Sequence, residues 1–237
     1  MNIACWSGPR NLSTALMYSF GARSDCAVVD EPFYAAFLQQ TGLDHPMREQ
    51  VLAEGEADLA KVAATCCQPP AAGQPFFYQK HMTHHMLADF ELDWLKQLRN
   101  VFLIRHPARV LASYAKKREN PTLEDIGFAQ RTRIFDYVQA MGLPAVVVNS
   151  FDIRQAPEAT LIALCEAIGM PFSDQMLRWP AGGHPDDGVW AAHWYDAVHK
   201  STGFAGPEGP LPPVAPQLQG VYDQAMAHYE RLLPLAI

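Results

Sequence analysis

The chain has no excess of positive charge: 18 lysines and arginines stand against 25 aspartates and glutamates in 237 residues, a formal net charge of −7. A broad surface for nucleic acid or anionic membrane needs a basic face, so this balance argues against both while leaving room for a small basic pocket. Cysteine is sparse and odd in number, five residues at Cys5, Cys26, Cys66, Cys67 and Cys165. None forms the paired CxxC knuckles of a zinc site; Cys66-Cys67 reads either as an inert pair or as a redox pair. No apolar run approaches the length needed to span a bilayer. The opening, Asn2 to Ser7, is strand-like rather than a secretory leader. No repeat or low-complexity linker divides the chain. Together these absences predict one cytoplasmic, reduced domain over 1–237, without a nucleic-acid or membrane partner.

What is present is a globular composition, 49% hydrophobic and 18% charged, enough to fill a core. Short apolar runs predict strands at Ile3–Trp6, Cys26–Val29, Pro75–Gln79, Val101–Ile104 and Ala145–Val148. Between them lie expected helices at 13–20, 34–61 (interrupted by Gly42 and Gly55), 108–117 and 123–141, the last stopped by Gly142. Further helices are expected at 157–168 and 216–233, and a Pro/Gly/Ala loop from Gln68 to Gln74. Strands apolar throughout, alternating with helices, predict an α/β fold with a central, mainly parallel sheet covered on both faces. Residues 179–216, rich in Gly, Pro and aromatics, predict an ordered loop or lid within that domain.

Two strand-to-helix junctions carry the chemistry. The first is Ser7-Gly8-Pro9-Arg10-Asn11-Leu12-Ser13-Thr14. Backbone N–H groups and the positive end of a helix dipole converge on an anion in such a turn. Ser13 and Thr14 add hydroxyl donors, and Arg10 adds a permanent forked charge. The Gly-Lys that precedes Ser/Thr in the nucleotide-hydrolase loop is missing, which weakens an ATPase or kinase reading. A capped helix start with no ligand remains the alternative. The second junction is Arg105-His106-Pro107 with Ser113 eight positions after the arginine; Pro107 suits the first turn of a helix.

In this order the two junctions resemble the PAPS-dependent sulfotransferases, PAPS being 3′-phosphoadenylyl sulfate. Pro9-Arg10-Asn11-Leu12-Ser13-Thr14 is similar to that family's 5′-phosphosulfate loop, and Arg105-His106-Pro107 with Ser113-Tyr114 to its 3′-phosphate site. The stretch from Phe151 to Phe172 is similar to the strand-plus-helix that follows. A narrower likeness, carried by Trp6 to Thr14 and Asp30-Glu31-Pro32, is to bacterial sulfotransferase-like proteins and to one domain of plant branched-chain aminotransferase-like proteins. The resemblance implies a P-loop NTPase-like three-layer sandwich and transfer of a sulfuryl group from PAPS, leaving PAP, to a hydroxyl or amine of a small-molecule acceptor. It implies Gly8 to Thr14, Arg105 and Ser113 as nucleotide ligands, with Lys200, in a C-terminal basic-Gly segment, approaching the nucleotide. A kinase-like small-molecule phosphotransferase and a non-catalytic nucleotide-binding relative are the alternatives.

Sulfuryl transfer needs charge neutralised on the leaving phosphate and the acceptor proton removed. Arg10 and Lys80 are the neutralising candidates. For the base, Glu31 ends the second strand, expected beside the strand that feeds the phosphate loop; it resembles a glutamate base of some sulfotransferases. The alternative is the segment Lys80-His81-Met82-Thr83-His84-His85, through His81 or His84, although Met82 stands where the cytosolic sulfotransferases have histidine. The alternative for Asp30-Glu31 before Pro32 is a cap on the following helix. The three histidines are either a metal site or simply packed, and without a nearby acidic or cysteine ligand no metal is expected. The aromatics of 179–216 either cover the acceptor or pack a loop.

Overall fold

Strands form where the apolar runs lie, in a computed structural model that describes residues 1–70, 73–116 and 120–237. They are β1 (Asn2–Ser7), β2 (Cys26–Asp30), β3 (Phe76–Met82), β4 (Arg99–Ile104) and β5 (Ala145–Asn149). The order across the sheet is β2-β3-β1-β4-β5, and every pair is parallel. All five C-terminal ends therefore open on one edge, the edge where ligands of such sheets bind.

The helices are α1 (Ser13–Gly21), α2 (Tyr34–Thr41), α3 (Arg48–Glu54), α4 (Leu59–Cys67), α5 (Pro107–Tyr114), α6 (Leu123–Ile126), α7 (Phe128–Ala140), α8 (Ser150–Gln155), α9 (Pro157–Ile168), α10 (Ala191–Trp194), α11 (Asp196–His199) and α12 (Gln219–Leu232). Strand residues alternate between two cores. Ala4, Trp6, Phe102 and Ile104 pack with α5, α7 and α12 on one face. Ile3, Cys5, Val101 and Leu103 pack with α1 and α9 on the other. This is the three-layer, P-loop NTPase-like arrangement expected.

Four details depart from the sequence reading. First, β3 lies between β1 and β2, so Glu31 is not on a strand beside the phosphate loop. Second, β3 runs past Gln79 to Met82, because partners on both sides continue its ladder: Lys80 is paired with Asp30 and with Cys5. Third, the helix expected over 123–141 breaks at Gly127, whose φ of 70° is left-handed. A Cβ there would crowd Thr83 Oγ1, and one at Gly8 would collide with the Ile126 carbonyl, so this break seats the phosphate loop against α6. Fourth, α8 follows β5 directly, capped by Asn149, whose side chain accepts from the Phe151 N–H at 3.1 Å. The expected helix end at Lys117 and the middle of the Gln68–Gln74 loop lie outside the described residues. Within 179–216, Trp190, Ala191 and Tyr195 are buried in a third small core with Tyr34, Phe37 and Leu38.

Candidate active site

A cavity of ≈310 Å³ opens at the C-terminal edge of the sheet, within the range of about 300–1,000 Å³ usual for small-molecule sites. Pro9 to Ala15 form one wall; Arg105, Ser113, Tyr114 and Arg154 another; Glu31, Lys80, His84 and His85 a third. Among the described residues five non-glycines have positive φ, and three of them, Arg10 (62°), Leu12 (71°) and Glu31 (45°), line this cavity. Such conformations cost about 1–3 kcal/mol each and persist where the surroundings hold them, commonly at functional sites.

The two basic junctions meet. Arg105 Nη1 donates to the Arg10 carbonyl at 2.6 Å, and Arg10 Nε donates to Ser113 Oγ at 2.8 Å. Burial draws the pKa of both guanidiniums below the usual arginine value, and for Arg10 the charge of Arg105 adds to the effect. Asn11 is fully buried beneath the loop. With its amide oxygen turned inward, it accepts from the Gly8 N–H at 3.3 Å and from Arg131 Nη1 at 3.1 Å. Arg131 itself is buried against the Phe128 ring, and burial pulls it down to about 9.

On the third wall Lys80 is almost fully buried, with Nζ 2.7 Å from Asp30 Oδ1, 2.5 Å from Glu31 Oε1 and 2.6 Å from the Tyr195 hydroxyl. Tyr195 also donates to Asp30, 2.8 Å from Oδ2, and its hydroxyl accepts from Trp190 Nε1 at 3.1 Å. Burial would depress Lys80, but the Asp30 and Glu31 charges outweigh it and hold the ammonium above its ordinary value. Burial raises Glu31 above the usual carboxylate range; the Lys80 charge opposes this and the Asp30 charge adds to it. One ammonium between two carboxylates keeps Lys80 charged.

The four candidates at the end of the second and third strands separate. Glu31, Lys80 and His84 line the cavity. His81, on the opposite face of β3 from Lys80, is buried, stacks on Trp6 with ring centroids 4.4 Å apart and faces Gln79 Oε1 at 3.1 Å. Burial, with Lys80 adding, lowers it to about 3, so it is a poor proton acceptor placed away from the cavity. His85, unremarked in the sequence as a base, does line the cavity, stacked on Tyr34 at 4.4 Å, with Nδ1 3.9 Å from Glu31 Oε2. Burial keeps it neutral. Lys200 is exposed and outside the lining, where its neighbours Ser201 and Gly203 stand instead. Gly8 lies behind the loop and shapes it rather than facing the cavity.

Sequence reasoning missed Asp30, Tyr195, Arg154 and Glu208. In sequence Asp30 stands only as a partner of Glu31, and Tyr195 belongs to an aromatic segment that either covers the acceptor or packs a loop. Arg154 had no local signal: it reaches the cavity from α8, where it is 2.9 Å from Glu208 Oε1. The Glu208 side chain is 3% exposed and is also held by Arg105 and by Arg109, whose Nε lies 3.0 Å from Oε2. Among the described residues no three His, Cys, Asp or Glu side chains are grouped to hold a metal ion, and no helix is long and apolar enough to cross a membrane.

The family profile of the sulfotransferase domain matches residues 1–234, and the chain belongs to that family. Solved structures share its fold. A sulfotransferase from Alicyclobacillus acidocaldarius superposes with a TM-score of 0.59 at 10% identity, covering 100% of this chain and 96% of its own. The sulfotransferase domain from the curacin biosynthetic pathway gives 0.56 at 17% identity, covering 95% of this chain and 97% of that one. In sequence the chain is similar to two Arabidopsis thaliana proteins, branched-chain-amino-acid aminotransferase-like proteins 2 and 1. They are 37% and 39% identical over 206 residues, 87% of this chain. The chain spans only 36% and 37% of their lengths.

Proposed function

We propose that the chain transfers a sulfuryl group from PAPS to a hydroxyl or amine of a small-molecule acceptor. The observation that carries this reading is the direct junction of Arg10 and Arg105 at the ends of adjacent strands β1 and β4, linked through the Arg10 carbonyl. One nucleotide phosphorylated at both its 5′ and 3′ positions needs two cationic sites held together, and this junction would supply them. Pro9 to Thr14 would hold the 5′ side, with Gly8 seating the loop behind them, while Arg105 and Ser113 would hold the 3′-phosphate. PAPS brings the activated sulfuryl group. Arg10 and Lys80 would neutralise charge near the leaving phosphate, acting in a site where hydrogen-bond donors are already fixed.

Glu31 is the favoured base. It lines the cavity, and a second cavity of ≈300 Å³ shares Glu31 and Tyr34 with the first. Glu31 thus stands on a wall common to both, where a donor on one side and an acceptor on the other would meet it. Its raised pKa increases its capacity to take a proton. The test is calorimetric titration with PAP, AMP and ADP. PAP should bind more tightly than either, and Arg105→Ala should weaken PAP by about 1.5–3 kcal/mol, the worth of a charge-assisted contact, while leaving AMP nearly unchanged. Equal affinities for PAP and AMP would remove the reading.

A further inference from the structure

Residues 203–210 read Gly-Phe-Ala-Gly-Pro-Glu-Gly-Pro, and Glu208 is the only carboxylate between Asp196 and Asp223. It is caged by arginines from three places: Arg105 after β4, Arg109 in α5 and Arg154 in α8. The same arginines fasten the backbone on both sides of it. Arg154 donates to the Gly206 carbonyl from Nη2 at 2.6 Å and from Nε at 2.9 Å, and Arg109 donates to the Gly209 carbonyl. The strap therefore lies against the rim of the cavity with its carboxylate inserted among the guanidiniums.

Among the described residues three guanidiniums surround this one carboxylate, which is not a balanced ion pair. Cations gathered this closely repel one another and lose hydration, so a lone carboxylate compensates them incompletely. Among the described residues the Arg105 Nε is buried without a hydrogen-bond partner, and so is Glu208 Oε2, so the carboxylate and the guanidiniums are mismatched in geometry as well as in charge. A phosphate monoester carries about −1.5 to −2 charge and three strong acceptor oxygens, against a single charge and two oxygens on a carboxylate. It answers both deficits. Arg105 is the residue assigned above to the 3′-phosphate, so Glu208 occupies donors that the nucleotide would require.

We infer that Glu208 is an internal stand-in for the 3′-phosphate, and that the strap 203–210 leaves the arginine cradle when a nucleotide bearing that phosphate enters. The inference rests on the nucleotide reading above. It makes Glu208 a specificity-determining residue. A nucleotide with a hydroxyl at that position has nothing to offer the cradle and leaves the strap in place, whereas the phosphomonoester exchanges one anion for a stronger one. The exchange lowers the apparent affinity for PAP by the fraction of molecules in which the strap is docked.

The test compares wild type with Glu208→Gln, a variant that keeps the shape and removes the charge, each checked for a cooperative melt. Glu208→Gln should bind PAP more tightly by roughly tenfold or more, since the competing anion is gone, with AMP affinity unchanged. In wild type, PAP should accelerate amide hydrogen exchange at 203–209, and AMP should not. Equal or weaker PAP binding by the variant, or strap protection that PAP leaves unaltered, overturns the inference. If neither protein binds PAP, the nucleotide reading itself fails, and inorganic sulfate becomes the probe. Sulfate-induced exchange at 203–209 in wild type then preserves the stand-in role of Glu208, and its absence overturns that too. Should Glu208→Gln not fold, Glu208→Asp, which shortens the reach and keeps the charge, must show the same PAP gain in smaller measure.

Discussion

The two charged regions of the cavity are built on opposite plans. Around Lys80 one cation meets two carboxylates and a phenol, all nearly buried, with Lys80 Nζ and the Tyr195 hydroxyl donating to Asp30 and Glu31. Around Glu208, among the described residues, three cations meet one carboxylate, carried on a proline- and glycine-flanked strap. In the first cluster Asp30 and Lys80 are fixed by the β2–β3 ladder, Glu31 follows β2 directly, and Tyr195 closes over them. The second is exchangeable because its single anion arrives on a segment without helix or strand. The difference teaches where each kind of work belongs: a proton acceptor requires fixed geometry, while an anion subsite requires donors that an entering ligand takes over.

The sharpest way to break this contrast is Glu31→Gln, which retains shape and removes basicity. Turnover should fall by about a hundred- to ten-thousand-fold with PAP affinity retained, in an assay with an accepted acceptor. Near-full activity there, with His84→Ala inactive, would move the base to the histidine segment. Next in size is Lys80→Met. It leaves Asp30 and Glu31 buried without their cation, and breaking a buried pair in this way costs about 3–5 kcal/mol. Urea denaturation reads the loss, and a change below 1 kcal/mol, about the worth of an exposed pair, would mean that solvent reaches the cluster.

The smallest effect concerns the other side of β3. His81 is lowered from the usual 6.5 to about 3 by burial and by Lys80. Between those values the unfolded chain binds a proton that the folded chain refuses. Stability from this group is therefore complete above the unfolded value and is lost as pH falls through the window toward the folded one, by at most about 1.4 kcal/mol per pH unit. Denaturation at a series of pH values should show this slope in wild type and a shallower one in His81→Gln. An identical slope in both would assign the acid sensitivity to His85, which burial also keeps neutral.

Much of the fold was legible because its signals are local. Apolar runs marked each strand, Pro107 marked the start of α5, and Gly169 marked the end of α9. The turn from Gly8 to Thr14 was legible for the same reason: it is contiguous, with its polar residues already in sequence. Which strand lies beside which was not legible, since Glu31 was expected next to β1 and instead β3 intervenes. Nor did the sequence separate Lys80 from His81, neighbours that the two-residue period of a strand sends to opposite faces. Arg105 was found from its place at a strand end, but its union with Arg154 and Glu208 joins residues 49 and 103 positions apart along the chain from it. By itself the sequence determined the elements and the contiguous loop, because backbone propensity and burial pattern act over a few residues. Only the tertiary structure decided which charges share a site, because an ion pair depends on distance in space, and that distance is set by how helices and straps pack across the sheet edge.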